Sequence, residues 1–274
     1  MPEGDTLART AAGLRPYLNG RVVNAARAQG PGPVPQVHRL IGQRIDGVEA
    51  QGKNLLIRFD GGLELRTHLR MHGSWHRYRP GERWRRPPGR ARLVLEVEGS
   101  VAVCFDAPVV ELFEQRTEAL HPSLSKLGPD LAKPDFDATE AFARLRHPER
   151  AETEIAVALL DQRAMAGIGN VYKSEILWIE QVSPFSLVRD LDDATLERLI
   201  GTARRLMLEN IDARSGPERV TTRGDRGAPG PVYVYSRGGR PCRRCTTRIA
   251  SREQGVDLPR LTYWCPTCQG DVKP

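Results

Sequence analysis

The spacing of apolar and polar positions first predicts a short helix near the start of the chain. Apolar residues recur at intervals of three and four over residues 5–19, and Asp5 stands where an N-cap is expected. The apolar positions are Leu7, Ala11, Leu14 and Leu18. A single apolar face of this kind indicates a helix that packs against another layer of the protein.

Two β-hairpins are predicted in the stretch that follows. Apolar runs at 54–59 and 63–69 flank an Asp-Gly-Gly turn, and runs at 92–97 and 101–105 flank a Glu-Gly-Ser turn. Many short strands separated by turn residues favour a β-sandwich or a barrel.

The pattern becomes helical after a segment rich in Pro, Ser and Gly at 121–134, which indicates a linker. The predicted helices cover 138–146, 153–161, 170–180 and 193–211. Residues 213–231 are rich in Gly, Pro and Arg and have no apolar period, so they predict a mobile loop. The tail from residue 232 predicts a small separate module.

Composition indicates a globular chain and excludes several classes of protein. Of the 274 residues, 39% are hydrophobic and 27% are charged, which is outside the range of disordered chains. No apolar run approaches the length of a membrane helix, and the N-terminus lacks the apolar core of a signal peptide. We therefore expect a soluble intracellular protein with no membrane partner.

Charge is distributed in blocks along the chain. The formal charge is +7, and residues 58–92 and 200–274 each carry +7 while residues 93–199 carry −10. Separated basic blocks are typical of proteins that bind polyanions, although solvated surface is an equally good explanation of the charge alone.

Four of the five cysteines form a pattern that predicts a structural zinc site. Their spacing is C-x2-C-x19-C-x2-C, from Cys242 and Cys245 to Cys265 and Cys268. Two short knuckles close a tetrahedron of thiolates, and zinc supplies the folding free energy that so small a module lacks. Arginines near the knuckles suit phosphate contact. They are Arg237, Arg240, Arg243, Arg244, Arg248, Arg252 and Arg260. The fifth cysteine, Cys104, lies in an apolar strand and is predicted to be buried.

The first residues offer a candidate nucleophile. Removal of Met1 leaves Pro2 with a free secondary amine, whose pKa near 8 leaves part of it unprotonated at neutral pH. Such an amine attacks an aldehyde-like carbon to give an iminium ion, and Glu3 follows directly as an acid or base. Most Met-Pro starts are inert, so this alternative stays open on the residues alone.

Four features in order give the chain a specific resemblance. MPEGDT, a β-rich segment, a G-I-G-N turn and a four-cysteine tail together resemble the formamidopyrimidine-DNA glycosylase/endonuclease VIII family of base-excision repair enzymes. The resemblance implies an α+β multidomain fold. Its expected parts are an N-terminal catalytic β-sandwich with a helix (1–118), a linker (119–136), a helix–two-turns–helix domain (137–231) and a zinc-finger module (232–274). The PEGDT opening is similar to the endonuclease VIII branch.

The resemblance also implies catalytic residues. The family's N-terminal proline attacks C1′ of the damaged nucleotide and the adjacent glutamate is the acid/base, which places these roles on Pro2 and Glu3. A lysine on a β-hairpin assists the sugar chemistry and corresponds to Lys53, the only lysine among the first 125 residues.

The remaining implied residues contact DNA. Asn170 in the helix–two-turns–helix motif (153–178) and Arg260 in the zinc hairpin would bind the phosphate beside the lesion, with Glu175 supporting the site. Asn170 as a plain N-cap is the structural alternative. Met71, assisted by Arg70, is the candidate wedge that fills the space left by the extruded base, unless Met71 is buried in the core.

These features predict a bifunctional DNA glycosylase and abasic-site lyase. Expected substrates are double-stranded DNA with oxidised pyrimidines or abasic sites, and single-stranded DNA is a further candidate. The resemblance implies one structural Zn²⁺ and a monomer in the bacterial cytoplasm, associated with the nucleoid. The alternative is a catalytically inactive zinc-ribbon protein that binds DNA or RNA.

Overall fold

The computed structural model describes residues 2–31, 33–212, 232–256 and 259–270. The chain divides into two units, Met1–Ser125 and Lys126–Pro274, which are taken in turn below. The loop predicted at 213–231 lies outside the described residues. None of the helices in the described part of the chain combines the length and the apolar character that crossing a membrane requires.

The first unit begins with helix α1 (Gly4–Leu18), which buries the predicted apolar face. The helix packs on the second strand of the unit, where Arg15 Nε donates to the Val48 carbonyl at 2.7 Å. The prediction that Asp5 is the N-cap is wrong, because Glu3 occupies that position and Asp5 is buried inside the first turn.

Eight strands follow and form two antiparallel four-stranded sheets, with the orders β1-β6-β7-β5 and β2-β3-β4-β8. The strands are β1 (Val23–Ala28), β2 (Ile45–Gln51), β3 (Asn54–Phe59), β4 (Leu63–His68), β5 (Ser74–Tyr78), β6 (Ala91–Val97), β7 (Ser100–Phe105) and β8 (Val109–Glu114). One apolar core joins α1 to both sheets. The predicted β-sandwich and both predicted hairpins are therefore confirmed.

Nearly continuous apolar runs explain why β3, β6 and β7 lie at the buried centre of the sheets. Leu55 and Ile57 on β3 and Leu93 and Leu95 on β6 are fully buried in the shared core. Cys104 on β7 is fully buried as well, and burial raises the pKa of its thiol. The thiol is therefore a packing group and no nucleophile.

The second unit contains a helical part with its own core. Its helices are α2 (Ala138–Leu145), α3 (Ile155–Ala158), α4 (Asn170–Ile179) and α5 (Asp193–Asp212). α3 is shorter than the predicted helix at 153–161. Leu131, inside the predicted linker, is fully buried in this helical core, so that part of the segment is packed and does not act as a free tether.

The described tail folds as a β-hairpin with a short helix. Strands β9 (Ala250–Gln254) and β10 (Arg260–Trp264) pair antiparallel, and α6 (Pro266–Gln269) follows. Ile249, Cys242 and Cys265 pack with Trp178 of α4, which fixes the tail against the helical part of the same unit.

Candidate active site and nucleic-acid interface

The two N-terminal candidates lie where the chain enters α1. Pro2 is half-buried, and Glu3 is 0% exposed. The Glu3 side chain makes no capping hydrogen bond to the helix, although its carbonyl accepts the Leu7 amide at 3.1 Å. Pro2 therefore directly precedes a fully buried carboxyl side chain at the start of α1.

Lys53 lies in the tight turn that joins β2 to β3. Gln51 pairs with Asn54, so Gly52 and Lys53 form a two-residue hairpin loop. Gly52 has a φ of 55°, which is the conformation that such a loop requires at its first position. The half-buried lysine is therefore carried at the tip of a rigid hairpin.

The candidate wedge lies on a tight turn beside the same end of the sheet. The Gly73 amide donates to the Leu69 carbonyl at 2.9 Å, and this closes the turn. Met71 is 58% exposed, so the alternative that it is a core residue is wrong. Arg70 is exposed and has a φ of 46°, a strained conformation for a residue with a side chain. Since Asn54 pairs with His68, the structure brings the Lys53 turn next to the wedge turn.

His68 joins these two turns and was missed by the sequence analysis. Its Nδ1 accepts a hydrogen bond from the Arg70 amide at 3.2 Å. Burial, together with the nearby cations Arg66, Lys53 and Arg70, lowers the pKa of His68 to about 4. The ring is therefore neutral at pH 7 and acts as a hydrogen-bond acceptor for the wedge turn. Its position at the end of an apolar strand was the only available sequence signal.

Asn170 and the strand that carries Arg260 meet in the second unit. Gly169 is the N-cap of α4, so Asn170 is the first helical residue and the plain N-cap alternative is wrong. The Asn170 side chain is 7% exposed, and its Nδ2 donates to the Leu261 carbonyl at 2.8 Å. The neighbouring Arg260 is exposed at the start of β10. The hydrogen bond of Asn170 thus joins the N-terminus of α4 to the residue that follows Arg260.

Glu175 binds backbone and not solvent. The fully buried carboxylate accepts hydrogen bonds from the amides of Tyr233, Val234 and Tyr235 at 2.6, 2.8 and 2.8 Å. These residues open the described tail. Glu175 therefore positions the start of the tail on α4, and its support of a DNA site stays a prediction.

A buried network on α4 was not foreseen from the sequence. Lys173 is 1% exposed, and its Nζ donates to Thr262 Oγ1 at 2.7 Å. Thr262 Oγ1 in turn donates to Gln254 Oε1 at 2.8 Å, and Gln254 Nε2 donates to Glu154 at 2.7 Å. The network ties both strands of the tail hairpin to the helical part. The sequence around Lys173 carries no motif that predicts a buried lysine in a hydrogen-bond network.

The four tail cysteines form one cluster that can hold a metal ion. Their sulfur atoms all lie within 4.8 Å of one another. The Cys242–Cys268 and Cys245–Cys265 sulfur pairs are 3.9 and 3.3 Å apart, against about 3.8 Å in a tetrahedral zinc site with Zn–S bonds of about 2.3 Å. A hydrogen bond with Thr247 lowers the pKa of Cys245 to about 6, whereas burial raises the pKa of Cys268 to about 12. Metal binding requires deprotonated sulfurs, so an ion at this cluster would displace a proton from Cys268.

Several arginines near the knuckles are used inside the protein. Arg244 stacks 4.2 Å from the Trp178 ring, and Arg252 stacks 4.2 Å from the Phe185 ring. Arg237 donates to the Tyr233 and Pro241 carbonyls, and Arg248 donates to the Gly239 carbonyl at 2.8 Å. The expectation that all seven arginines contact phosphate is therefore too broad, because four of them stabilise the module.

Comparisons with known proteins cover both units. The family model for the formamidopyrimidine-DNA glycosylase N-terminal domain matches residues 1–108, and the model for the H2TH domain of the same enzymes matches residues 127–221. "Probable endonuclease 8 2" of Streptomyces coelicolor is 41% identical over 277 residues, which cover 100% of this chain and 96% of the relative. "DNA-(apurinic or apyrimidinic site) lyase Nei2" of Mycolicibacterium smegmatis is 38% identical and covers 98% of this chain and 99% of the relative.

Solved structures share the fold at lower sequence identity. The Lactococcus lactis Fpg bound to DNA with an abasic site matches with a TM-score of 0.82 at 21% identity, over 97% of this chain and 99% of that chain. MutM in complex with DNA containing carbocyclic 8-oxo-G matches with a TM-score of 0.81 at 22% identity, over 98% and 99%.

Proposed function

The chain belongs to the formamidopyrimidine-DNA glycosylase family, and we propose that Pro2 is the nucleophile with which it removes damaged bases and cuts the DNA backbone. The protein is a bifunctional DNA glycosylase and abasic-site lyase of base-excision repair. The placement of Pro2 beside the fully buried Glu3 at the entry of α1 is the observation that carries the proposal. The alternative of an inactive zinc-ribbon binding protein is not favoured, since a relative of 38% identity is named a lyase.

The chemistry follows from the Pro2 amine. Once Met1 is removed, the nitrogen attacks C1′, the bond to the base breaks, and the proton lost from nitrogen leaves with the base. Glu3 gives a proton to the ring oxygen as the sugar opens to an iminium ion. Loss of a proton from C2′ then breaks the C3′–O bond. While the sugar is still held as the iminium, loss of a proton from C4′ breaks the C5′–O bond in a δ-elimination. Water finally hydrolyses the iminium, which releases the sugar fragment and restores the free amine.

Lys53 and the wedge turn serve this chemistry from one end of the sandwich. Lys53, at the hairpin tip, would bind the phosphate or sugar of the damaged nucleotide. Met71 would enter the stack in place of the extruded base, and Arg70 would contact the neighbouring phosphate. The exposure of Met71 and the pairing of Asn54 with His68 support this arrangement.

The second unit would hold the backbone beside the lesion. Asn170 at the start of α4 and the exposed Arg260 would bind one phosphate, with free helix amides adding to the grip. Zn²⁺ on the four cysteines would fix the hairpin that carries Arg260, and Glu175 and Lys173 would fix its attachment. In this division, residues 1–118 are the catalytic domain, 119–136 the connection, 137–231 the helix–two-turns–helix domain and 232–274 the zinc module.

We place oxidised pyrimidines and abasic sites in double-stranded DNA as the substrates. Relatives that are 41%, 39% and 30% identical to this chain carry the name endonuclease 8. The PEGDT opening supports the same branch.

Reduction with borohydride during reaction with abasic duplex tests the proposal. The expected product is a covalent protein–DNA adduct whose protein mass lacks Met1. Lys126→Ala removes an exposed lysine outside the proposed site and should form the same adduct. A chain that begins at Pro2 and yields no adduct would overturn the proposal.

A further inference from the structure

The segment between β5 and β6 concentrates positive charge. Residues 79–90, termed the arginine loop here, contain five arginines and one acidic residue. The arginines are Arg79, Arg83, Arg85, Arg86 and Arg90, and the acid is Glu82. Like charges at this density repel one another, so a fixed conformation of the segment requires stabilising contacts elsewhere in the loop.

Aromatic packing fastens the loop to the outer face of its sheet. Trp84 stacks on Tyr78 with the ring centroids 6.1 Å apart, and it meets Phe105 edge-on at 5.8 Å. The Arg85 amide donates to the Tyr78 hydroxyl at 3.1 Å. The backbone of the loop is therefore held in place at its centre.

Ion pairs fasten the second half of the loop. Arg90 binds Asp106 with two hydrogen bonds of 2.8 Å, and Arg86 binds the same carboxylate. Arg86 also donates to the His72 carbonyl at 3.2 Å. Because His72 follows Met71, this bond joins the arginine loop directly to the candidate wedge turn.

The other three arginines are exposed. Trp84 and Arg86 are half-buried, whereas Arg79, Arg83 and Arg85 are open to solvent. Among the described residues, none of these three guanidinium groups makes a hydrogen bond or an ion pair. Three exposed guanidiniums are thus displayed on a braced loop, which Arg86 joins to the candidate wedge turn.

We propose that Arg79, Arg83 and Arg85 form a second phosphate-binding surface, which holds the duplex beyond the lesion while Met71 occupies the stack. The inference rests on the proposed function. DNA is the partner that the charge favours, because three exposed guanidiniums on one loop can each bind a phosphate, and each strand of a duplex carries one phosphate for about every 3.4 Å of helix axis. The surface carries no base specificity, so it would add affinity and leave the choice of lesion unchanged.

Salt dependence of binding measures this surface directly. The probe is a duplex of about 30 base pairs, roughly three helical turns, with a central tetrahydrofuran abasic analogue. Each phosphate contact contributes about 0.9 to the slope of log K against log salt, so R79A/R83A/R85A should flatten the slope by up to about 2.7. Between about 50 and 200 mM salt, the wild-type chain should therefore lose about 40-fold more affinity than the variant.

Two matched variants separate this surface from a general charge effect. R21A/R27A/R39A removes the same charge from three exposed positions of the same unit, two of which are paired with Glu98 and Glu96. This variant should keep the wild-type slope. R79K/R83K/R85K keeps the charge and should also keep the slope, which guards against a misfolded alanine variant.

Two results would overturn the inference. One is a wild-type slope in R79A/R83A/R85A. The other is an equal loss of slope in both alanine triples, which would mean that only net charge matters. The proposed function fails in a different assay, since it requires borohydride trapping by the wild-type chain whatever the salt slope is.

Discussion

The Glu175 carboxylate provides the sharpest quantitative prediction. It accepts three backbone amides from consecutive residues, at 2.6, 2.8 and 2.8 Å, and it is completely buried. The substitution Glu175→Gln keeps the size and shape of the group but replaces one oxygen with a hydrogen-bond donor. If the new NH₂ group takes the place of Oε2, it faces the Tyr233 amide; if it takes the place of Oε1, it faces the amides of Val234 and Tyr235. A backbone N–H cannot accept a hydrogen bond, so either orientation places two donors against each other.

The cost of the substitution follows from counting these bonds. A hydrogen bond to a charged group contributes about 1.5–3 kcal/mol, against about 1 kcal/mol for a neutral pair. If the remaining oxygen serves Val234 and Tyr235, two bonds weaken by about 1 kcal/mol each and the third leaves an unsatisfied donor at about 1–3 kcal/mol. The attachment of the tail to α4 should therefore weaken by about 3–5 kcal/mol.

Hydrogen exchange at residues 233–235 measures this attachment locally. A loss of about 3 kcal/mol corresponds to exchange at least about 100-fold faster in Glu175→Gln than in the wild-type chain. Glu209→Gln is the matched control, because Glu209 is exposed on α5 and, within the described part of the chain, forms an ion pair with Arg205 alone. Unchanged protection at 233–235 in Glu175→Gln would refute the reasoning.

Three further predictions concern the metal cluster, His68 and the wedge. Chelation, or the substitution Cys245→Ser, should remove zinc and weaken binding to abasic duplex. Elemental analysis measures the zinc content and fluorescence anisotropy measures the affinity for DNA. Full zinc content and full affinity in the variant would contradict the assigned cluster. His68 has a pKa of about 4 in the folded chain against 6.5 as its ordinary value, so the unfolded chain binds more protons between these values and stability should fall as pH drops from about 6.5 to about 4. His68→Gln should lack this part of the decline in urea titrations, and an identical pH profile would refute it. Met71→Ala should slow cleavage of duplex lesions on the order of tenfold and leave cleavage of single-stranded substrates nearly unaffected, because only the duplex has a base stack whose gap must be filled. Leu120→Ala, at an exposed position, is the control. An equal effect of Met71→Ala on both substrates would contradict the wedge role.

Local chemistry explains which parts of the fold were predictable. The β3–β4 and β6–β7 hairpins follow from apolar runs broken by glycine turns, and the cysteine cluster follows from knuckle spacing alone. Strands β1 and β5 were missed because their positions are mostly polar or half-buried, so they carry little apolar period. Asp5 was misread as an N-cap because burial in the first turn depends on tertiary packing.

The candidate site shows the same limit. The resemblance supplied Pro2, Glu3, Lys53, Asn170 and Arg260 as residue types, but it could not supply their partners. The partners of Glu175 are backbone amides 58 to 60 residues away, and no side-chain motif records them. The same holds for the arginines near the knuckles, because stacking on Trp178 or Phe185 is decided by the packing of the tail and not by charge.

Mapping of the covalent bond tests the central claim most directly. Abasic duplex is trapped with borohydride, digested with nuclease and protease, and analysed by mass spectrometry for the peptide that carries the reduced sugar. The account predicts that the sugar is attached to the nitrogen of Pro2 as the first residue of the mature chain. Attachment to Lys53 or to another lysine, with Pro2 unmodified, would contradict it.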